Sequence, residues 1–220
     1  MSALIERNRL PSEAIDDVIW STSSQRGKQG GDLARMALLD AGYDVRVSGV
    51  TLDRFCGGGI SAVALAAGQV MSGLEECVVA GGVEMMSYTA ERERAETAAG
   101  LGASMMGAFN ERLDERHPQS HQGVCADAIA SLEGISREAL DAFSAESQRR
   151  AAVAIAEGRF TKSVVSVTDD AGTIILDREE FPRPATTADS LAQLKPAFEA
   201  LMDLPYDDAG HSFRKQIQRR

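Results

Sequence analysis

Positive charge is in short supply in this chain. Its 220 residues hold 23 Lys and Arg against 33 Asp and Glu, a formal net charge of −10. Binding a phosphate backbone needs a basic surface, so nucleic acid is excluded as the expected partner. Cysteine is also scarce. Cys56, Cys77 and Cys125 are odd in number, widely spaced and form no Cys-x-x-Cys pair. This argues against a disulfide framework or a zinc site, leaves no metal-ligand set, and fits a reducing compartment. Aromatic residues are only 5% of the chain, which suits close helix–sheet packing better than an aromatic-rich binding surface. Met1 to Arg7 has no apolar core of signal-peptide length. No run reaches the roughly 18 apolar residues of a membrane span. The expectation is a cytoplasmic protein with no membrane partner.

What is present is globular in character. Hydrophobic residues make up 44% and charged residues 25%, and the length suits one large domain or two small ones. The most informative stretch is Thr51 to Ala62. A largely apolar run, Val50 to Phe55, ends at Cys56. Three glycines follow, and an alanine-rich segment, Ile60 to Val70, then reads as a helix. Cys56 is therefore expected where a strand turns sharply into a helix. Backbone N–H groups at a helix start are unpaired and carry partial positive charge. That setting favours a thiolate and makes the cysteine a nucleophile. The other reading of Cys56 is a small buried residue.

In chain order, Ser2 to Asn8 reads as a short helix and Asp17 to Ser21 as an apolar strand. Thr22 to Gly31 is a polar, glycine-rich loop. Asp32 is expected to cap a helix running to about Ala41, with Gly42 ending it. Val50 to Phe55 is the second strand. The helix Gly59 to Ser72 is apolar on nearly all sides and is expected to be buried. Cys77 to Ala80 reads as a strand from the middle of a parallel sheet, with Cys77 as plain core. Strands alternating with helices predict an α/β fold with right-handed crossovers. Cys56 and Gly82 then lie on one side, at the carboxyl ends of the strands where ligands gather. Thr89 to Arg116 reads as a long excursion. Helices are expected over Ser120 to Leu132 and from a Ser136 cap to about Glu157, the second stapled by Ile135 and Leu140. Val164 to Val167 and Thr173 to Leu176 read as a hairpin, and Ser190 to Leu194 as a short helix. Arg214 to Arg220 reads as a solvated tail.

Two segments carry a resemblance. Arg54-Phe55-Cys56-Gly57-Gly58-Gly59-Ile60-Ser61-Ala62-Val63 and Val78-Val79-Ala80-Gly81-Gly82-Val83-Glu84-Met85-Met86-Ser87 together resemble the thiolase family, the acyl-CoA C-acyltransferases. The similarity runs from about Leu4 to about Phe213 and covers the front half of a complete thiolase. It implies an α/β fold with three parts. Residues 1–86 are a partial N-terminal sheet domain carrying the nucleophile. Residues 87–213 are an inserted α/β loop domain covering CoA, and residues 214–220 are a basic tail. The C-terminal thiolase domain is expected to be absent. The family's first, central strand is expected to precede this chain, leaving strand edges and apolar surface open. A homo-oligomer or a complementing C-terminal half is the implied partner.

The resemblance also implies roles. Cys56 is the acyl acceptor: its thiolate attacks a thioester, expels CoA and leaves an acyl-enzyme, with its own backbone N–H helping to hold the oxyanion. Asp53 stands where thiolases usually have Asn or Ser, and its charge opposes a thiolate, with Arg54 as an offset. Gly58 stands where serine is common, which loosens the turn and removes a hydroxyl. His121 resembles the loop-domain histidine beside the CoA sulfur and pantetheine end; its alternative is a helix cap or surface histidine. Leu113 matches a residue near the CoA adenine, Arg183 and Ser190 resemble contacts to the adenine nucleotide, and Phe198 resembles an aromatic of the pantetheine channel. Their alternatives are a core leucine, a surface arginine, a helix cap and a core aromatic. CoA or acyl-CoA is expected as substrate, and no resident cofactor.

Other family features are missing from the sequence: a second cysteine in a Cys-x-Gly context, a histidine in Gly-His-Pro, and the Asn that positions a water in the oxyanion hole. Gly210-His211-Ser212 resembles Gly-His-Pro only superficially. Condensation and thiolysis are therefore expected to be lost or reduced to slow acyl transfer onto Cys56. A non-catalytic CoA-binding or interaction fragment is the competing reading. A ketoacyl-synthase-like enzyme would share the cysteine turn, but the Gly81 to Ser87 run fits thiolases better.

Overall fold

A computed structural model describes residues 1–99, 110–117, 120–205 and 209–218. The chain forms two compact units, Met1–Ala103 and Ser104–Arg220.

The first unit is built on three parallel strands in the order β2-β1-β3. The helix α1 (Ser2–Asn8) leads into β1 (Asp17–Ser21), which is followed by α2 (Leu33–Asp40), β2 (Ser48–Leu52), α3 (Gly58–Ser72), β3 (Val78–Gly82) and α4 (Met86–Ala98). The strand β1 is central: Asp17 pairs with Ser48 on one side and Val78 on the other, and Ser21 with Leu52 and Gly82. The strand expected in the middle, β3, therefore lies at an edge of this sheet. Local apolar character reports burial of a strand but not its order among neighbours. Cys77 precedes β3 and is half-buried against the first apolar cluster.

Alternation along β1 sends side chains to two faces. Val18 joins Ala34 and Leu38 of α2, with Ile15, Tyr43 and Val47, in one cluster. Ile19 joins Ala62 and Ala66 of α3 in the other. The helices α2 and α3 thus cover opposite faces of the sheet. Asp32 caps α2 as expected, through Arg35 N–H at 3.4 Å, and its carboxylate also accepts from Thr51 Oγ1 at 2.8 Å.

Two expectations about α3 change. Its buried residues are Gly58, Ser61, Ala62 and Ala66 only, while Ile60 is 79% and Met71 87% exposed. An all-round apolar helix is covered on both sides only when a second layer is present. In addition, Phe55–Ser72 is long and apolar enough by composition to cross a membrane, which revises the expectation of no such run. In this fold it packs one face on the sheet.

The second unit comprises α5 (Glu111–Arg116), α6 (Gln122–Leu132), α7 (Arg137–Ala156), the short antiparallel pair β4 (Val167–Thr168) and β5 (Ile174–Leu176), α8 (Ala188–Ala192), α9 (Glu199–Met202) and α10 (Phe213–Ile217). Ser136 caps α7 through Ala139 N–H, and Gly158 follows it at φ +65°. Ile135 and Leu140, expected as a staple, are both exposed. Arg137 pairs with Asp141 at 2.9 Å and donates to the Leu191 and Leu194 carbonyls, which joins α7 to α8. The segment read as a solvated tail instead begins in α10, which lies against α6. Phe213 and Ile217 face Val124, Ala128 and Leu132 around a cleft. Arg214 pairs with Asp203 at 2.6 Å. Arg219 and Arg220, and residues 100–109 of the long excursion, lie outside the described residues.

Candidate functional site

The cysteine turn is built at the carboxyl end of β2. The strand ends at Leu52, three residues earlier than expected, because the chain bends at Asp53. The Asp53 carboxylate accepts the Phe55 N–H at 2.8 Å. Phe55 takes φ +47°, a left-handed conformation that costs a non-glycine residue roughly 1–2 kcal/mol. One turn of 3₁₀ helix, Phe55–Gly57, follows, closed by Gly57 N–H on the Arg54 carbonyl at 3.1 Å. Gly57 then caps α3. Cys56 lies inside this turn and is exposed, so it is not a buried core residue. Its backbone N–H meets no acceptor among the described residues. The turn thus offers an accessible thiol and an unpaired donor together. Asp53, expected only as an unfavourable charge, also shapes the turn.

The carboxyl ends of all three strands meet beside this turn, and Cys56 and Gly82 share that side as expected. Ser21 ends β1 in register with Leu52 and Gly82. Its carbonyl accepts the Val83 N–H at 2.9 Å, and Thr22 N–H reaches the Leu52 carbonyl at 3.2 Å.

A polar network unforeseen from sequence lies next to it. Glu84 accepts from Thr22 Oγ1 (3.0 Å), Ser23 N–H (2.9 Å), Ser23 Oγ (2.8 Å) and Gln29 Nε2 (2.9 Å). Gln29 is buried and its Oε1 accepts the Met85 N–H at 2.8 Å. Partial burial pushes the Glu84 carboxyl up, but the hydrogen bonds from Gln29, Ser23 and Thr22 outweigh it and hold it at about 2. The network ties the loop after β1 to the exit of β3. The sequence signal for it is a carboxylate two residues after the glycines of the Gly81 to Ser87 run.

The other five predicted residues belong to the second unit. Two come together: His121 stacks on Phe198 with ring centroids 4.8 Å apart and 27° between planes. His121 also caps α6, its Nδ1 accepting the Gly123 N–H at 3.1 Å, so its capping role is observed. An acceptor at Nδ1 leaves the proton of the neutral ring on Nε2. A Cβ at Gly123 would fall 2.2 Å from the Phe198 ring, so only glycine admits the stack. Leu113 is half-buried in α5. Arg183 is exposed, and its backbone N–H donates to Gln148 Oε1 at 2.6 Å. The Ser190 hydroxyl is engaged in the capping box of α8 with Thr187. No described contact joins Leu113, Arg183 or Ser190 to the His121–Phe198 pair.

Comparison with known proteins adds the following. The family profile described as "Thiolase, N-terminal domain" matches residues 1–201. A 3-ketoacyl-CoA thiolase of Saccharophagus degradans is 36% identical over 202 residues, covering 90% of this chain and 49% of that protein. An acetyl-CoA acetyltransferase of Thiocystis violacea is 37% identical over 205 residues, with 90% and 52% covered. That of Escherichia coli is 35% identical, with the same coverage. The chain spans about half the length of the curated relatives it matches.

Proposed function

The chain belongs to the thiolase family through its N-terminal domain, and on that premise we propose that it acts on acyl-CoA, with Cys56 as the acyl acceptor. The observation that carries this reading is the exposed Cys56 in a tight turn before α3, its backbone N–H unpaired, at the carboxyl ends of parallel strands. The thiolate attacks the thioester carbonyl, the C–S bond to CoA breaks, CoA leaves as its thiolate, and the acyl group stays on Cys56. The unpaired Cys56 N–H is the donor assigned to the developing oxyanion. In the loop domain, the His121–Phe198 stack supports the reading that these two rings receive the pantetheine end of CoA. Leu113, Arg183 and Ser190 are proposed at the adenine nucleotide. Arg183 is the best placed for this, since its exposed guanidinium pairs with no described acid.

The second cysteine and the Gly-His-Pro histidine of the family's full cycle do not occur among these 220 residues. We therefore assign the acylation step to these residues and place the later proton transfers on groups not among them. The exposed apolar face of α3 and the edge of β3, unpaired among the described residues, support a second copy or another thiolase segment as partner. The test is intact-mass spectrometry after incubation with acetyl-CoA, with Cys56→Ala as control. An acetyl adduct absent from the variant is expected. No adduct on folded protein would refute the acylation reading, and robust acetoacetyl-CoA turnover by the chain alone would refute its restriction to that step.

A further inference from the structure

Gly58 is the second residue after Cys56 and the first of α3. A Cβ placed there would lie 1.8 Å from Ser21 Oγ and 2.9 Å from Ser21 Cβ. Turning the Ser21 hydroxyl aside removes only the first clash, because Cβ is fixed by the backbone. The Ser21 backbone in turn is held on both sides, by β2 and β3. One small volume beneath the first turn of α3 therefore admits a side chain from position 21 or from position 58, but not from both. Here position 21 fills it. Ser21 is only 6% exposed, and its hydroxyl has no hydrogen-bond partner among the described residues.

We propose that Ser21 is a positioning residue for the nucleophile. Its hydroxymethyl group acts as a wedge from the central strand that sets the seat of the first turn of α3, and so the aim of the Cys56 turn. The functional meaning rests on the reading of Cys56 as the acyl acceptor; the wedge itself can be tested without acyl-CoA.

The experiment is timed modification of the full chain with iodoacetamide, followed at Cys56, Cys77 and Cys125 by peptide mass spectrometry. Cys56 reports the turn. Cys77, half-buried beside β3, reports opening of the first unit, and Cys125, exposed on α6, is the reference. Ser21→Gly is expected to slow Cys56 modification relative to Cys125 by about threefold or more, since small misplacements at a site are costly, while Cys77 is unchanged. Gly58→Ser alone is expected to lower the melting temperature by about 5 °C or more and to speed Cys77 modification. The double variant, Ser21→Gly with Gly58→Ser, is expected to restore both the melting temperature and the Cys56 rate. The proposal is overturned by an unchanged Cys56 rate in Ser21→Gly, by a tolerated Gly58→Ser, or by a double variant no better than Gly58→Ser. A missing acetyl adduct would remove the acylation reading and leave this comparison standing.

Discussion

At the scale of single residues, the site depends on side chains that bend the backbone. Asp53 has two effects that can be separated. Its Oδ1 holds the Phe55 N–H and so supports the positive φ of Phe55; its carboxylate also lies three residues before Cys56. Asp53→Asn keeps the acceptor and removes the charge. It is expected to raise the rate of Cys56 alkylation at neutral pH by about two- to fivefold, an unfavourable neighbouring charge having been removed. Asp53→Ala removes both, and is expected to lower the melting temperature by loss of a hydrogen bond of about 1 kcal/mol. Alkylation of Asp53→Asn no faster than that of the native chain would show that the carboxylate charge does not reach the thiol. Gly123 admits a similarly clean test in the second unit. Gly123→Ala must displace the Phe198 ring from His121. Titration calorimetry with CoA is expected to show weakening of about tenfold, and unaltered affinity would remove the stacked pair from the CoA site.

At the scale of elements, the loop after β1 is fastened to the exit of β3 by one carboxylate. Glu84 is held at about 2 against an ordinary 4.5. A carboxyl depressed in the folded state contributes stability that is complete above its ordinary value and disappears as pH falls towards the folded one. The melting temperature of the native chain should therefore exceed that of Glu84→Gln by the largest margin above about pH 5, with the gap closing between 4.5 and 2. Loss of the charged hydrogen bonds is expected to cost about 1–3 kcal/mol at neutral pH. A gap constant across that window would show that Glu84 does not act through its charge. Much at this scale was legible in the sequence because it is local. The Asp32 and Ser136 caps, the Gly158 stop and the strand Asp17–Ser21 are each signalled within a few residues. From sequence Phe55 reads as strand because an apolar aromatic favours β structure; the hydrogen bond to Asp53 overrides that preference. The Glu84–Gln29 network joins residues far apart in the chain, and no local pattern announces such a pairing.

At the scale of the whole molecule, the family was legible in two short runs, while strand order and burial were not. The apolar pattern of α3 is plain in the sequence, but a pattern does not say whether a covering layer exists. Ile60 and Met71 leave large apolar areas open, and contiguous surfaces of that kind mark interfaces or aggregation sites. Replacing both, Ile60→Lys and Met71→Lys, is expected to reduce binding of a hydrophobic dye and concentration-dependent light scattering. The melting temperature should hold, because neither residue packs on the sheet. Unchanged scattering would locate self-association elsewhere.

The central place of β1 also sets the order in which this protein can acquire its shape. Both neighbours of β1 come after it in the chain: Asp17 must wait first for Ser48 and then for Val78. Closing such loops is the slow part of folding a parallel sheet. During synthesis, Cys56 leaves the ribosome well before Gly82, the residue that completes the row in which Ser21 is fixed. A growing chain therefore carries its thiol before it carries the third strand that completes the frame beside it.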